Sequence, residues 1–401
     1  MRRGVAGSIT RAWPAVTYER LRWQSSGPGT DSASRAASPY RAAIAAEIAD
    51  VPDVPLSPAT RALATEAATE IARFDQQVGA DLPQLAAALR RAEAAASSRI
   101  ENVIACAEAV GLAELGDSGS ESAALVVANG VAMETAVAHA RHLDGGAILA
   151  IHEALLGRTE PESAGKWRTV QNWIGSSNSS PHDAIFVPPQ PDRVPAAIRD
   201  LERFLARDDL PALVQAAVAH AQFETIHPFT DGNGRTGRAL VHGTLWAKEL
   251  TRHVTVPVSA GLLGGALRYF EALTAYRGGD PEPIVERLAN ASFAAINNGR
   301  ALVEDLHAVR ANWGEAISAR RGASAWRLAD MLLSQPVVDS PLVQRQLGVT
   351  APAALGAIGQ LVEARVLGKL SGRQRYRRYG APGVLEALDA FAIRAGRGGG
   401  F

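Results

Sequence analysis

"AQFETIHPFTDGNGRTGR", residues Ala221–Arg238, reads two ways, and the choice between them decides the fold. Gly232-x-Gly234-x-x-Gly237 satisfies the dinucleotide-binding pattern letter for letter. That pattern carries meaning only after a strand, before a helix, and with an acidic residue closing the next strand. The preceding segment, "LPALVQAAVAHAQFETI", is alanine-rich and helix-periodic, and the next β-like run, "HVTVPV" (His253–Val258), ends without an acid. A doubly wound sheet is therefore excluded. The chain also contains no G-x-x-x-x-G-K-[S/T] phosphate loop.

The whole loop carries more chemistry than its glycines. Pro228 ends the helix before it, because the residue preceding a proline is pushed out of the helical region. Gly232 and Gly234 let the backbone fold tightly and present bare amides, and the helix restarting near Gly234 adds its positive end, which makes an anion cradle. Arg235 and Arg238, at i and i+3, share a face and suit a polyphosphate. Asp231 is a hard oxygen ligand suited to Mg²⁺, and His227 at the loop's entrance suits a general base. A base, a carboxylate for a metal, an amide nest and two guanidiniums together suit attack on a nucleotide phosphate.

Composition sets the outer bounds. With 401 residues and 47% hydrophobic content the chain supports two or three domains with real cores. Forty-one basic residues, only three of them lysine, balance forty-one acidic ones, so global charge points to neither nucleic acid nor membrane. The single cysteine, Cys106, makes no internal disulfide, which fits a reducing, cytoplasmic setting. No run of 18 apolar residues occurs, so no membrane partner is expected.

Helical periodicity covers most of residues 39–157 and 194–320, beginning with "YRAAIAAEIADV". The exception, Trp167–Pro191, has two short apolar segments around a polar centre, the pattern of a hairpin with a long loop. The order helix, helix, turn, helix, basic hairpin at about 323–390 predicts a winged helix-turn-helix. The expected fold is mainly α: an N-terminal segment 1–38, partly disordered; a helical region 39–115; a catalytic core 116–300 with its hairpin; a helical linker 301–322; a small winged-helix domain 323–390; and a flexible tail 391–401.

His227-x-Phe229-x-Asp231-Gly232-Asn233-Gly234-Arg235-x-x-Arg238 resembles the complete signature of the Fic family. The resemblance implies a Fic-type helical core that transfers AMP from ATP to a Tyr, Thr or Ser hydroxyl of a target protein. His227 would deprotonate the hydroxyl, and Asp231 would hold Mg²⁺ on the phosphates. Gly232, Asn233 and Gly234 would stabilise phosphate charge, while Arg235 and Arg238 would bind its β and γ regions. Phe229 would anchor the loop. The 167–191 hairpin would be the flap that docks the target, through Val170, Ile174, Ile185 and Val187. Tyr269 and Tyr276, in a family-like segment, are candidates for the nucleotide pocket and equally for the core.

Upstream, Ser97-x-x-x-Glu101-Asn102 is similar to the family's inhibitory signature, which implies a carboxylate that takes Arg238 from the γ-phosphate. In some relatives the same glutamate implies the reverse reaction, removal of AMP. The C-terminal module suits either DNA, through 350–379, or protein docking. On its wing Lys369, Arg373, Arg375, Arg377 and Arg378 interleave with Tyr376 and Tyr379. The alternative function is a DNA-binding regulator whose core senses nucleotide. Self-modification and a homodimer stay open at this point.

Overall fold

The structure is a computed structural model and describes residues 12–22, 39–81, 83–117, 119–175, 180–320, 322–370 and 377–397. Two strands open it, β1 (Thr17–Arg22) and β2 (Pro39–Ile44), paired antiparallel with Arg20 opposite Arg41. The helical body follows as α1 (Pro58–Gly79), α2 (Pro83–Ile100), α3 (Ala107–Glu114), α4 (Glu121–Ala138), α5 (Gly145–Leu156), α6 (Val194–Leu205), α7 (Ala212–Ile226), α8 (Asn233–Ala247), α9 (Val258–Leu263), α10 (Ala266–Arg277) and α11 (Glu282–Ala316). The C-terminal module adds α12 (Ser324–Leu332), β3 (Val337–Asp339), α13 (Ser340–Leu347), α14 (Ala351–Glu363), β4 (Gly368–Lys369), β5 (Arg378–Gly380) and α15 (Pro382–Arg397), its antiparallel sheet ordered β3-β5-β4. The mainly helical fold and the C-terminal helix-turn-helix agree with the sequence reading.

Helix α7 is the centre of the body. Every residue from Leu213 to Ile226 is buried, so it has no solvent face. Five alanines keep it thin, and α1, α6, α8, α10 and α11 all pack against it. Gly237 sets the α7–α8 spacing: a Cβ there would meet His220, Phe223 and Glu224. Helix α2 lies across α8 and α9, held from α4 by Asn129, which donates to the Ala94 carbonyl (3.0 Å) and to Ser98 (3.1 Å).

Three boundaries differ from the sequence reading. Residues 39–44 form a strand and not a helix: Tyr40 and Ala42 are buried while Pro39 and Arg41 are exposed, a period of two. Pairing with β1 overrides the helical bias of an alanine-rich stretch, and Asp200 accepts from the amides of Ile48 (2.7 Å) and Ala49 (3.3 Å), satisfying backbone that no helix serves. Helix α11 runs unbroken through the expected core–linker boundary at residue 300. The expected tail is ordered to Arg397, because Val384, Leu388, Phe391 and Ala395 continue one buried stripe on α15.

Candidate active site

The 227–233 loop is held by its own backbone and by residues far away in sequence. His227 caps α7 in the left-handed region (φ 50°), and Gly232 caps α8 in the same region (φ 74°). Between them Phe229 is fully buried, stacked face to face on His152 at 3.6 Å and against Trp167 at 5.1 Å. Asn233 grips the Phe229 peptide from both sides: its amide nitrogen donates to the carbonyl (2.8 Å) and its oxygen accepts from the amide (2.9 Å). His152 donates from Nε2 to the Asp231 carbonyl (3.1 Å) while its Nδ1 accepts from Gly165 (3.0 Å), which fixes the tautomer. Arg168 donates to the carbonyls of His227 (2.9 Å), Val170 (3.1 Å) and Pro189, and Asn172 donates to that of Phe229 (2.9 Å).

The first bond within α8 runs from the Thr236 amide to Gly232 (2.9 Å), so the amides ahead of it lack intrahelical partners and face the cradle. Two guanidiniums rise beside it. Arg235 is 4% exposed. It donates from Nη2 to Asp231 (3.0 Å), while its Nε and Nη1 are buried without partners. Arg238 is 2% exposed, donating from Nε to the Ser97 hydroxyl and from Nη2 to the Ser97 carbonyl and Glu101 Oε1, each at 2.9 Å. Burial opposes its charge, but Glu101, Tyr269 and Glu224 outweigh burial and raise its pKa. The Glu101 carboxylate also fills the space a Cβ on Gly234 would take, so it sits at the mouth of the anion cradle.

His227 is 17% exposed on its side chain. Burial, then Arg277 and Arg168, push its pKa down to about 3, so the imidazole is neutral at pH 7 and able to accept a proton. Its Nδ1 is buried without a partner, and Glu224 Oε2 lies 3.8 Å from it, beyond hydrogen-bond reach. Burial and the neighbouring Glu101 raise Glu224 to about 7.

Parts of this chain are similar to known proteins. Residues 142–245 match the Fic/DOC family, and residues 326–382 match an HTH DNA binding domain. Residues 142–245 are thus similar to a Fic domain. Among curated relatives, "Protein adenylyltransferase fic-1" of Caenorhabditis briggsae is 32% identical over 152 residues, 37% of this chain and 27% of that protein. "Protein adenylyltransferase Fic" of Drosophila sechellia is 30% identical over 153 residues, 37% of this chain and 28% of that one. The chain thus spans about a quarter of the length of these relatives. A Fic family protein from Desulfovibrio desulfuricans shares the fold, with a TM-score of 0.53 and 24% identity over 82% of this chain and 98% of that one.

The fold brings some of the predicted residues together and leaves others apart. His227, Asp231, Gly232, Gly234, Arg235 and Arg238 surround one cradle, and Ser97 and Glu101 reach it from α2. Glu101 lies just past the end of α2, with Asn102 in the left-handed region (φ 61°), so the signature spans a helix end. Asn233, expected on phosphate, has its amide nitrogen and oxygen on Phe229. In the expected flap an isolated bridge joins Ile174 to Phe186, and the centre, 176–179, lies outside the described residues. Val170 and Ile185 are exposed, while Val187 is buried and accepts from the Ala43 amide at 2.9 Å, which ties the flap to β2. Tyr269 and Tyr276 are buried core residues: Tyr276 donates to Gln222 (2.9 Å), and the Tyr269 hydroxyl pairs with His220 (2.8 Å).

Arg373, Arg375 and Tyr376 of the wing lie outside the described residues. Arg378 is paired with Asp117 and Tyr379 is buried, so neither is free to track phosphates, while Lys369 and Arg377 are exposed. The residues that escaped sequence reading are the supports: His152, Arg168, Asn172, Glu224 and Arg277. Arg277 stacks on Phe186 of the flap at 3.8 Å. Glu93 on α2 was missed too. It accepts from His242 Nε2 (2.7 Å) and from Ser259 through its hydroxyl (2.5 Å) and amide (2.9 Å), one turn before the Ser97–Arg238 contact. No local pattern announces any of them.

Proposed function

We propose that this chain is a protein adenylyltransferase held off by its own Glu101. The observation that carries the reading is a pair of buried guanidiniums at a helix N-terminus, with Arg235 Nε and Nη1 and Arg238 Nη1 lacking partners. A buried, unpartnered guanidinium is costly, and a polyphosphate supplies what is missing. The curated relatives are named protein adenylyltransferases, which supports the donor being ATP.

The metal that such a donor brings fits the loop. The Asp231 carboxylate is 60% exposed at the cradle's edge, and no cluster of three or more His, Cys, Asp or Glu that could hold a metal occurs among the described residues. One protein carboxylate, with water and phosphate oxygens for the rest, is how Mg²⁺ is commonly held. Asp231 would hold Mg²⁺, which would supply positive charge to the donor's phosphates. The chain's own residues do the rest. The neutral His227 accepts the proton of the target hydroxyl as its oxygen forms a bond to the α-phosphorus, and the bond to the β-phosphate oxygen breaks to release pyrophosphate. The α8 amides stabilise charge on the transferred phosphate, and Arg235 and Arg238 orient the leaving group.

With Glu101 on Arg238, the γ-phosphate loses its partner and ATP sits out of line. The test is incubation of the Glu101→Gly variant with ATP labelled at the α or at the γ position. Label passing to protein from the α position alone, and lost in His227→Ala, supports AMP transfer. Label from the γ position would mean phosphoryl transfer instead.

DNA engagement is a second reading, favoured by the HTH match at 326–382 and by the sheet that carries the wing. The outer face of α14 presents Pro352, Ala353, Leu355 and Gln360, which offers few base readers, so binding would rest on phosphates and weaken steeply with salt. A gel shift that persists unchanged at high salt would contradict it.

A further inference from the structure

The turn that carries Glu101 is tied at both ends to the C-terminal module. Arg99, two residues before Glu101, donates from Nη1 to the Ala392 carbonyl on α15 at 2.9 Å, and its guanidinium packs against Gly396, where a Cβ would crowd it. The amide of Ala107, first in α3, donates to Asp389 Oδ1 on α15 at 2.9 Å. Between these anchors run only the last residue of α2, Glu101, the left-handed Asn102 and a short non-helical connection. Residues two apart on a helix point roughly opposite ways. Helix α2 is therefore gripped by α8 through Ser97 and by α15 through Arg99 on a different face. A second tie lies nearby, where Arg91 donates to Glu114 (2.7 Å) and to Gln335 (3.1 Å).

The apolar side chains on the α2–α3 side of this contact are small. Ala92, Ala95, Ala105 and Ala107 face Leu388 and Phe391, and crevices of about 40 and 50 Å³ remain between them. The buried side chains of Leu388 and Phe391 seat α15 in the core with α11, while Arg99 and Asp389 supply its hydrogen bonds to the two ends of the turn. The Glu101 side chain is still 38% exposed, so it needs no unfolding to leave Arg238.

We propose that α15 is a latch on the inhibitory turn: Arg99 and Asp389 are positioning residues that keep Glu101 on Arg238, and displacement of the C-terminal module releases the catalytic loop. The proposal rests on the reading of Glu101 as an inhibitor of AMP transfer. By linkage, whatever shifts α15 favours productive ATP binding, and productive ATP binding loosens α15 to the same degree.

The test uses the full chain with Arg99→Ala and Asp389→Ala combined, and two readouts. Amide hydrogen exchange is expected to quicken at residues 100–107 and to stay unchanged across α7 and α8, which also verifies that the variant is folded. The initial rate of self-labelling by α-labelled ATP is expected to rise about 5-fold or more, with no further rise when Glu101→Gly is already present. Asp389→Asn, which keeps an acceptor oxygen for Ala107, should stay at the wild-type rate. Unchanged exchange at 100–107 overturns the latch. So does wild-type labelling by the double variant while Glu101→Gly labels faster. Equal labelling by Glu101→Gly and wild type overturns the inhibitory reading, and the latch with it.

Discussion

His227 holds a left-handed backbone conformation that non-glycine residues adopt at a cost of about 1–3 kcal/mol. The cost is met because its amide still bonds to Phe223 (2.8 Å) and its carbonyl accepts from Arg168 (2.9 Å), which hold the backbone on both sides of the imidazole. On the proposed mechanism, replacing it with alanine removes the base and leaves the cradle, so transfer is expected to fall about 10²- to 10⁴-fold while nucleotide affinity holds. Initial-rate labelling beside equilibrium nucleotide binding checks both halves. Glu101 predicts the opposite sign. Its removal frees Arg238 Nη2, and labelling is expected to rise about 5- to 150-fold, the range of typical coupling energies. The Fic loop was legible residue by residue because its chemistry is contiguous. Asn233 was not, since nothing local says that its amide turns back onto Phe229.

At the scale of elements, the end of α2 explains why an asparagine suits position 102. The amides of Glu101 and Val103 bond to the Ser98 carbonyl, each at 3.0 Å, while Asn102 takes φ 61°, the left-handed helix end that glycine and asparagine tolerate. Asn102→Gly should therefore be near neutral. Asn102→Val is expected to cost about 1–2 kcal/mol and to raise labelling by disordering the turn, read by a denaturant midpoint beside the rate. The helices were legible from apolar spacing, and the departures have physical causes. Strand β2 is alanine-rich, and its partner β1 is separated from it by residues 23–38, so no local window contains the pairing. The end of α15 was lost because "AIRAGRGGG" reads as a tail unless the surface that buries Ala395 is known.

Across the whole molecule, neutral buried imidazoles set the response to acid. Burial lowers His152 to about 4 and both His220 and His227 to about 3. Below about pH 6.5 an unfolded chain protonates these three while the folded one does not, so stability is full above that pH and falls as acid is added. Glu224, raised to about 7, works the other way, binding its proton in the folded state first. Three imidazoles outweigh one carboxyl, so the denaturant midpoint is expected to drop steadily from pH 7 to pH 5. Glu224→Gln should make that drop steeper, because the opposing group is gone. The sequence by itself determined the helical class and the residue types of the loop, and it picked out His227 as the candidate base and Glu101 as the candidate inhibitory carboxylate, because each motif is written within a dozen residues and its chemistry follows from residue type and spacing. Only the tertiary structure decided which groups meet. Ser97 reaches Arg238 across 141 positions, and Arg99 reaches Ala392 across 293, distances at which local propensity carries no signal and packing alone selects the partner.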